Sequence, residues 1–414
     1  MSRTISDSER RARLVFRHRL GPQDPNDDAA KSSPFDISRS VVALHSSDPG
    51  SVYLSVLARS PSTTIESVSS ALYEGRVLAR VHGMRRTLWV TGIDTAADII
   101  AASSTRLVRA ERRRLASFLA DHGVGDPEAW IDEARAEILD FVAHIGLVDT
   151  RTVGEALPHR AIGFEVAAGK KYAGTVTAHT RILLILGFEG CIVRAAPLGS
   201  WIASQYRWAE PSSWFDRPLV GDHESNSGGQ PPSSRVAEAQ AAVIERYLRA
   251  FGPVTTDDVV WWTGWPKGVV TRALGEVAAT EVDLGGSIGW LSSSDNFSMT
   301  PDLGAAADRS VALLPALDPT TMGWKHRDHY LDPAMTVHLF DRNGNGGPTI
   351  WVGGRVVGGW SQRDDGEMAY RLLTDVGTEA TRAIEDELAR LAELIGDTRY
   401  KVRFPNPLNT ELRR

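Results

Sequence analysis

The chain has 414 residues, and its 46 lysines and arginines stand against 52 aspartates and glutamates, a net charge of −6. This balance argues against a protein that coats nucleic acid through its overall charge, but it does not exclude a local basic surface. The single cysteine, Cys191, excludes a disulfide scaffold and a cysteine-built metal site. No apolar run reaches the roughly 18 residues of a membrane span, and the first residues lack the apolar core of a signal peptide. We therefore expect a cytoplasmic protein that needs no membrane, metal or cofactor.

The first two thirds of the chain contain three regions in which helices are followed by a short strand pair. In the first region, apolar residues at helical spacing precede a predicted strand at Thr87–Thr91. In the second, Arg181–Gly187 predicts a helix and Cys191–Ala195 a strand. Polar, Gly- and Pro-rich stretches at Gly21–Pro34 and Gly221–Ser234 indicate loops or linkers.

The third region has the order of a helix-turn-helix followed by a wing. Thr255 or Thr256 can cap a short helix, and Gly264 and Pro266 form a turn before a helix predicted at Lys267–Val277. A glycine-turned hairpin follows. Such a module places its second helix in the major groove of DNA, but the same pattern also describes a packing or protein-contact module.

The last hundred residues are predicted to form a small antiparallel sheet or barrel with a closing helix at Thr378–Leu394. Gly-rich turns separate the candidate strands, which are Val311–Leu317, Thr336–Phe340, Thr349–Val352 and Arg355–Trp360.

Chemistry-bearing side chains are most concentrated in the segment His45-Ser46-Ser47-Asp48, between two apolar runs. His45 titrates near neutral pH and can transfer a proton or position a water molecule. Asp48 can activate that water or stabilise positive charge on a sugar. The alternative is structural: Asp48-Pro49 caps the following helix and His45 is a satisfied core residue. The absence of G-x-S-x-G argues against a serine hydrolase.

Several arginines and lysines lie in acid-poor stretches or beside aromatic residues, a pattern suited to phosphate and base contact. A solvated helix face is the preferred interpretation of Arg112–Arg114. Trp261 and Trp262 are expected in the core, and Trp208 and Trp324 in a groove. The candidate DNA-binding residues are Arg85, Arg86, Arg207, Lys325, Arg327 and Arg342.

Six segments together resemble the bacterial winged helix DNA-binding domain-containing family, whose characterised members are AlkZ-like DNA glycosylases. The segments are VVALHSSDPGSVYLSVLAR, VHGMRRTLWV, PLGSWIASQYRW, GPVTTDDVVWWTGWP, LLPALDPTTMGWKHRDHYL and LFDRNGNGGPTIWVGGRVVGGW. The resemblance runs from about residue 10 to residue 408.

The resemblance implies an α+β chain of tandem winged-helix modules in a C-shaped arrangement, with a C-terminal antiparallel β-rich region. The family's catalytic Gln-x-Gln or Gln-x-Asp motif falls on His45-Ser46-Ser47, so both outer positions differ, and Asp48 supplies a carboxylate one residue later. The predicted modules are residues 1–100, 101–220, 236–300 and 301–414, with a linker or loop at 221–235.

The resemblance also implies a metal-independent, monofunctional DNA glycosylase that excises bulky N7-alkylated purines. The resemblance further implies that the protein unhooks interstrand crosslinks and gives self-resistance to a DNA-alkylating natural product. His45, Ser47 and Asp48 are the expected catalytic residues, and no lysine in this segment offers a Schiff-base nucleophile. The expected partner is double-stranded DNA carrying alkylated bases, bound by a monomer. The alternative is a noncatalytic winged-helix DNA-binding protein, a regulator or lesion binder.

Overall fold

The computed structural model describes residues 3–21, 32–166, 174–220 and 231–414. The chain divides into two compact units, each built from separate stretches of sequence. The first unit comprises residues 1–74, 89–92 and 241–414, and the second comprises residues 75–88 and 93–240. Most of the two predicted linkers, at Gly21–Pro34 and 221–235, lies outside the described residues. The module boundaries expected from the sequence stay predictions.

Helices and short antiparallel strands alternate along the described chain, which places the fold in the α+β class. The described helices are α1 (Asp7–Arg17), α2 (Pro34–Ser40), α3 (Pro49–Leu57), α4 (Ile65–Tyr73), α5 (Ile93–Asp121), α6 (Pro127–Ile145), α7 (Thr150–Ala156), α8 (Ala178–Glu189), α9 (Pro211–Phe215), α10 (Ser233–Phe251), α11 (Thr256–Thr263), α12 (Lys267–Glu276), α13 (Pro301–Asp308), α14 (Thr336–Leu339), α15 (Gly377–Ile395) and α16 (Pro407–Leu412). The described strands are β1 (Leu44–His45), β2 (Leu78–His82), β3 (Leu88–Gly92), β4 (Gly163–Val166), β5 (Gly174–Thr177), β6 (Val193–Pro197), β7 (Tyr206–Ala209), β8 (Thr280–Asp283), β9 (Ile288–Leu291), β10 (Val311–Leu314), β11 (Thr349–Val352), β12 (Arg355–Gln362) and β13 (Met368–Leu372).

A four-stranded antiparallel sheet in the order β10-β11-β12-β13 forms part of the first unit. Gly353 and Gly354 both have positive φ and make the tight turn between β11 and β12. The indoles of Trp351 and Trp360 are fully buried, and α15 and α16 pack against β10 and β12. The sequence correctly predicted this antiparallel region and its closing helix.

The predicted strand at Thr336–Phe340 is wrong, because Thr336–Leu339 forms the short helix α14. A 3-10 turn at Pro333–Met335 precedes it, and the carboxylate of Asp332 accepts a hydrogen bond from the Ala334 amide, 2.9 Å away. This cap and the fixed φ of Pro333 start a helical turn, which outweighs the strand preference of the β-branched residues that follow.

The segment α10–α11–α12 followed by the β8–β9 hairpin has the element order expected for the third region. Thr255 caps α11, and Thr255 and Asp258 exchange side-chain and backbone hydrogen bonds in a capping box. Gly264 ends α11 in the left-handed conformation, and α12 begins at Lys267. Whether this segment acts as a winged helix on DNA stays a prediction.

The second unit has its own apolar core, in which α5, α6 and α8 pack on one another. Leu119, Ile138 and Leu186 are fully buried there, each from a different one of these helices. Arg112, on the surface of α5, pairs with Glu128 and Asp132 of α6. This agrees with the solvated helix face predicted for the Arg112–Arg114 run.

The first unit contains an ion pair with no exposed surface, between Arg59, just after α3, and Asp318. The guanidinium donates to both carboxylate oxygens, at 2.8 and 2.7 Å, and Ser55 and the Thr320 amide also donate to the carboxylate. Burial alone raises the pKa of Asp318, but the charge and hydrogen bonds of Arg59 outweigh it and hold the pKa below its usual value. The pair is therefore ionised, and the fold depends on both partners.

We expect Asp318→Asn to lower the free energy of unfolding by about 3–5 kcal/mol, because it leaves the Arg59 guanidinium buried without a counter-charge. Urea denaturation measures this loss. The control is Glu128→Gln, which breaks an ion pair whose carboxylate is 58% exposed and costs less than about 1 kcal/mol. Equal stability of Asp318→Asn and the control would contradict the assigned role of the buried pair.

Candidate active site

The segment around His45 begins with a strained backbone. Val42 has a φ of +66°, in the left-handed region that β-branched residues rarely adopt. The hydroxyl of Thr91, in β3, donates to the Val42 carbonyl at 2.7 Å and helps to hold this conformation. β1 then pairs with β3, with His45 opposite Trp89. Strain of this kind costs free energy and is retained where the surrounding structure needs the chain to turn at that point.

The imidazole of His45 is half-buried and lies edge-on to the indole of Trp89, with ring centroids 4.8 Å apart. The amide of Ser47 donates to His45 Nδ1 at 3.4 Å. In the neutral ring the proton is therefore on Nε2, which acts as a hydrogen-bond donor. The half-buried His45 and Ser47 remain partly accessible to solvent, whereas Ser46 is buried.

Asp48 occupies the N-cap position of α3, and Pro49 is the first helical residue. The Asp48 carboxylate also forms hydrogen bonds with a segment that is distant in the sequence. Oδ2 accepts hydrogen bonds from the Tyr400 hydroxyl at 3.1 Å and from the Arg403 amide at 3.0 Å. The Arg403 guanidinium donates to the Ser47 carbonyl at 3.3 Å. The segment after α15 thus holds the whole Ser47–Asp48 turn.

The Asp48 side chain is nearly inaccessible, and the residue is only 3% exposed. Burial raises the pKa of Asp48, and the hydrogen bonds from Arg403 and Tyr400 lower it only in part, so the pKa lies above its usual value. A carboxylate in this environment is a better proton acceptor than one in water. The geometry therefore joins a structural role, in holding α3 and the C-terminal segment, to a capacity for proton transfer.

Sequence reasoning missed Tyr400 and Arg403. Tyr400 is itself oriented by Gln362, whose side-chain oxygen accepts from the Tyr400 amide at 2.7 Å. These residues are separated from Asp48 by more than 350 positions, and no local pattern marks them.

Three of the predicted DNA-binding residues belong to the first unit. Lys325 is exposed and its Nζ donates to Asp257 at 2.9 Å. The half-buried Arg327 lies between two aromatic rings, 5.0 Å from the centroid of Trp261 and 4.7 Å from that of Phe340. Arg342 is exposed in the turn that follows Phe340.

The other three belong to the second unit. Arg85 and Arg86 are exposed at the centre of a four-residue turn closed by the Thr87 amide on the Met84 carbonyl. Both have positive φ, the pattern of a type I′ turn, which usually holds Asn-Gly. Arg86 also pairs with Glu111 at 2.6 Å. Arg207, in β7, is half-buried.

The prediction that Trp324 lines a groove is wrong, whereas Trp208 borders a cavity of the second unit but is largely buried. Trp208 is 4% and Trp324 3% exposed, so neither indole has a free face for stacking on a base. Trp208 packs in the core of the second unit, and Trp324 contacts Phe251 and Tyr330 in the first. Trp262 is buried as predicted, whereas Trp261 is half-buried beneath the guanidinium of Arg327.

No described helix is long and apolar enough to cross a membrane. Among the described residues, no group of three or more His, Cys, Asp or Glu side chains is arranged to hold a metal ion.

A family model described as "DNA glycosylase AlkZ-like" matches residues 39–394, which include the His45–Asp48 segment. No curated protein matches the chain by sequence. The solved structure of the Streptomyces sahachiroi DNA glycosylase AlkZ is similar, with a TM-score of 0.68 and 21% sequence identity, over 97% of this chain and 99% of that one. At this identity the structural likeness shows a shared fold, while the family model covers most of the chain. The chain therefore belongs to the AlkZ-like DNA glycosylase family.

Proposed function

We propose that the protein is a monofunctional DNA glycosylase that hydrolyses the N-glycosidic bond of bulky N7-alkylated purines in double-stranded DNA. The observation that carries the proposal is the family match across His45–Asp48, where the fold holds a carboxylate of raised pKa beside a partly accessible imidazole. An N7-alkylated purine already carries positive charge and leaves readily. The protein must extrude the nucleotide, stabilise an oxocarbenium-like sugar and supply a water molecule.

The two site residues take different parts in this proposal. Because the Ser47 amide donates to Nδ1, the neutral imidazole of His45 presents Nε2–H, which can orient the attacking water but cannot take its proton. Asp48 takes the proton, and its raised pKa favours that transfer. As water adds to the anomeric carbon, the glycosidic electron pair leaves with the purine. Ser47 is a hydrogen-bond partner of the water.

The proposed DNA contacts use the exposed cations of each unit. Lys325, Arg342 and Arg403 of the first unit are exposed and can meet phosphates, while Arg327 presents a guanidinium held on aromatic faces. Arg85, Arg86 and Arg207 are the corresponding candidates in the second unit. The proposal includes tandem winged-helix modules in a C-shaped arrangement, acting as a monomer without a metal. We further propose that the protein unhooks interstrand crosslinks and gives self-resistance to a DNA-alkylating natural product.

A noncatalytic DNA-binding protein is the second candidate function, and one observation favours it. Asp48 Oδ2 already accepts two hydrogen bonds within the fold, and the residue is 3% exposed. These contacts also suit a purely structural carboxylate that joins the start of α3 to the C-terminal segment. A lesion binder or regulator needs the basic surfaces but no proton acceptor.

We expect the purified protein to release 7-methylguanine from duplex DNA, and Asp48→Asn to slow release by about 10²–10⁴-fold, the usual contribution of a general base. His45→Ala also slows it, because the water loses its hydrogen-bond donor. Single-turnover assays with saturating protein measure the rate. The control is Asp302→Asn, which removes an exposed carboxylate of α13. DNA binding without base release from methylated or crosslinked DNA would establish the noncatalytic alternative.

Tyr400→Phe tests how the Asp48 carboxylate is tuned. Its hydroxyl stabilises the ionised carboxylate, so its removal raises the pKa of Asp48 further. A base works deprotonated, so we expect the acid limb of the pH–rate profile to move to higher pH, with the plateau retained. The control is Tyr370→Phe, which removes the 3.0 Å hydrogen bond from a half-buried tyrosine to Glu385, far from the candidate site in the sequence. An unchanged acid limb in Tyr400→Phe would show that Asp48 does not carry the kinetic proton.

A further inference from the structure

The second unit contains a cavity of about 730 Å³ that the proposed reaction does not use. Residues at the start of α7, from the end of β5 into α8, and from the β6–β7 hairpin line it. Its volume lies within the roughly 300–1,000 Å³ range of sites that bind small organic ligands. The polar residues that matter for its chemistry are Asp149, Thr150, Arg151, Arg181 and Arg194.

The charges that line this cavity are mainly positive. The lining includes three guanidinium groups, from Arg151, Arg181 and Arg194, and one carboxylate, from Asp149. Asp149 is the N-cap residue of α7, and its Oδ1 accepts a hydrogen bond from the Thr152 amide at 2.9 Å. The same hydrogen bond is the main cause of the lowered pKa of Asp149. The lowered pKa keeps Asp149 ionised, so the lining carries three positive charges and one negative charge and remains cationic.

The nearest partner of Arg181 does not neutralise this wall. Glu111 accepts from Arg181 at 2.9 Å, but it also pairs with Arg86 at 2.6 Å and Arg114 at 3.6 Å. One buried carboxylate thus serves three guanidiniums. Burial lowers the pKa of Arg86, and repulsion from Arg114 and Arg181 adds to the effect. An anion in the cavity would relieve part of this repulsion.

The rest of the cavity lining combines polar groups held in fixed positions with apolar side chains. The guanidinium of Arg194 lies 4.7 Å from the ring centroid of the buried Trp208, which fixes its position. Thr150 Oγ1 accepts from the indole of Trp208 at 3.1 Å, so its own hydroxyl proton is available as a donor. Val176 and Leu184 supply apolar surface.

We propose that this cavity binds a nucleotide, with its phosphate on Arg181 and Arg194 and its base or sugar against Val176 and Leu184. Guanidiniums form charge-assisted, bidentate hydrogen bonds with phosphate oxygens. A bare phosphate fills only a small part of the volume, which is why a larger ester is required. A free nucleotide and a nucleotide of a DNA strand share this chemistry. The proposal concerns the second unit alone and does not depend on the glycosylase reaction.

Calorimetric titration of the full chain with 5′-dAMP, and separately with undamaged duplex DNA, tests the proposal. Two cavity variants are used: Arg181→Gln, and Arg151→Gln, whose side chain is 82% exposed and whose loss does not disturb the core. The matched control is Arg114→Gln, which removes the same charge from Glu111 but does not line the cavity. We expect Arg181→Gln to bind about tenfold more weakly than the control, as for the loss of a charge-assisted hydrogen bond. Arg151→Gln also binds more weakly than the control, by a smaller factor, because it removes a positive charge from the lining without removing a direct phosphate contact.

The two titrations distinguish the sources of the ligand. A specific loss with 5′-dAMP identifies a free nucleotide, and a specific loss with duplex DNA alone identifies a nucleotide of the strand. The proposal is overturned if the cavity variants and the Arg114 control bind both probes equally. It is also overturned if deoxyadenosine, which lacks the phosphate, binds as tightly as 5′-dAMP. Thermal unfolding of each variant confirms that the compared proteins are folded.

Discussion

The buried ion pair between Arg59 and Asp318 constrains the part of the first unit that carries the candidate site. It lies at the C-terminal end of α3, where Ser55 and Arg59 both donate to the Asp318 carboxylate. Thr320 extends the network from Arg59 to the imidazole of His18, whose pKa burial lowers to about 3. His18 is therefore neutral and adds no further charge to the buried Arg59–Asp318 pair, whose own charges are compensated by each other and by hydrogen bonds.

The other end of α3 is held by a carboxylate as well, and the two ends differ in their electrostatics. At Asp318 a full positive charge compensates for burial and the pKa stays low, whereas at Asp48 only dipolar donors and the more distant charge of Arg403 oppose it. The same helix thus carries a carboxylate fixed in its ionised form and one poised to take a proton. Fixing the helix at its far end is what lets Asp48 keep a defined position while its pKa is raised.

Local patterns predicted those elements whose signals lie within a few residues. The helix cap at Thr255, a glycine-rich turn between β11 and β12 and the closing helix are of this kind. Long-range pairing could not be predicted in the same way, because Asp48 and Tyr400 are 352 positions apart and Arg59 and Asp318 are 259 apart. The exposure of Trp208 and Trp324 was predicted wrongly for a related reason. A cationic neighbour in the sequence suggested a DNA-facing surface, but tertiary packing decides whether an indole face stays exposed.

The distribution of charge explains how an acidic chain can present basic surfaces. Glu111 is almost completely buried, yet it is shared by Arg86, Arg114 and Arg181. A carboxylate placed inside such a cluster counts fully in the net charge of −6, but it offsets only one of the three positive charges around it. The carboxylates of Asp149 and Asp258, at the starts of helices, likewise accept hydrogen bonds from backbone amides. The electrostatic potential at the protein surface, which a phosphate would encounter, therefore depends on the position and partners of each carboxylate. The net charge of the chain does not predict it.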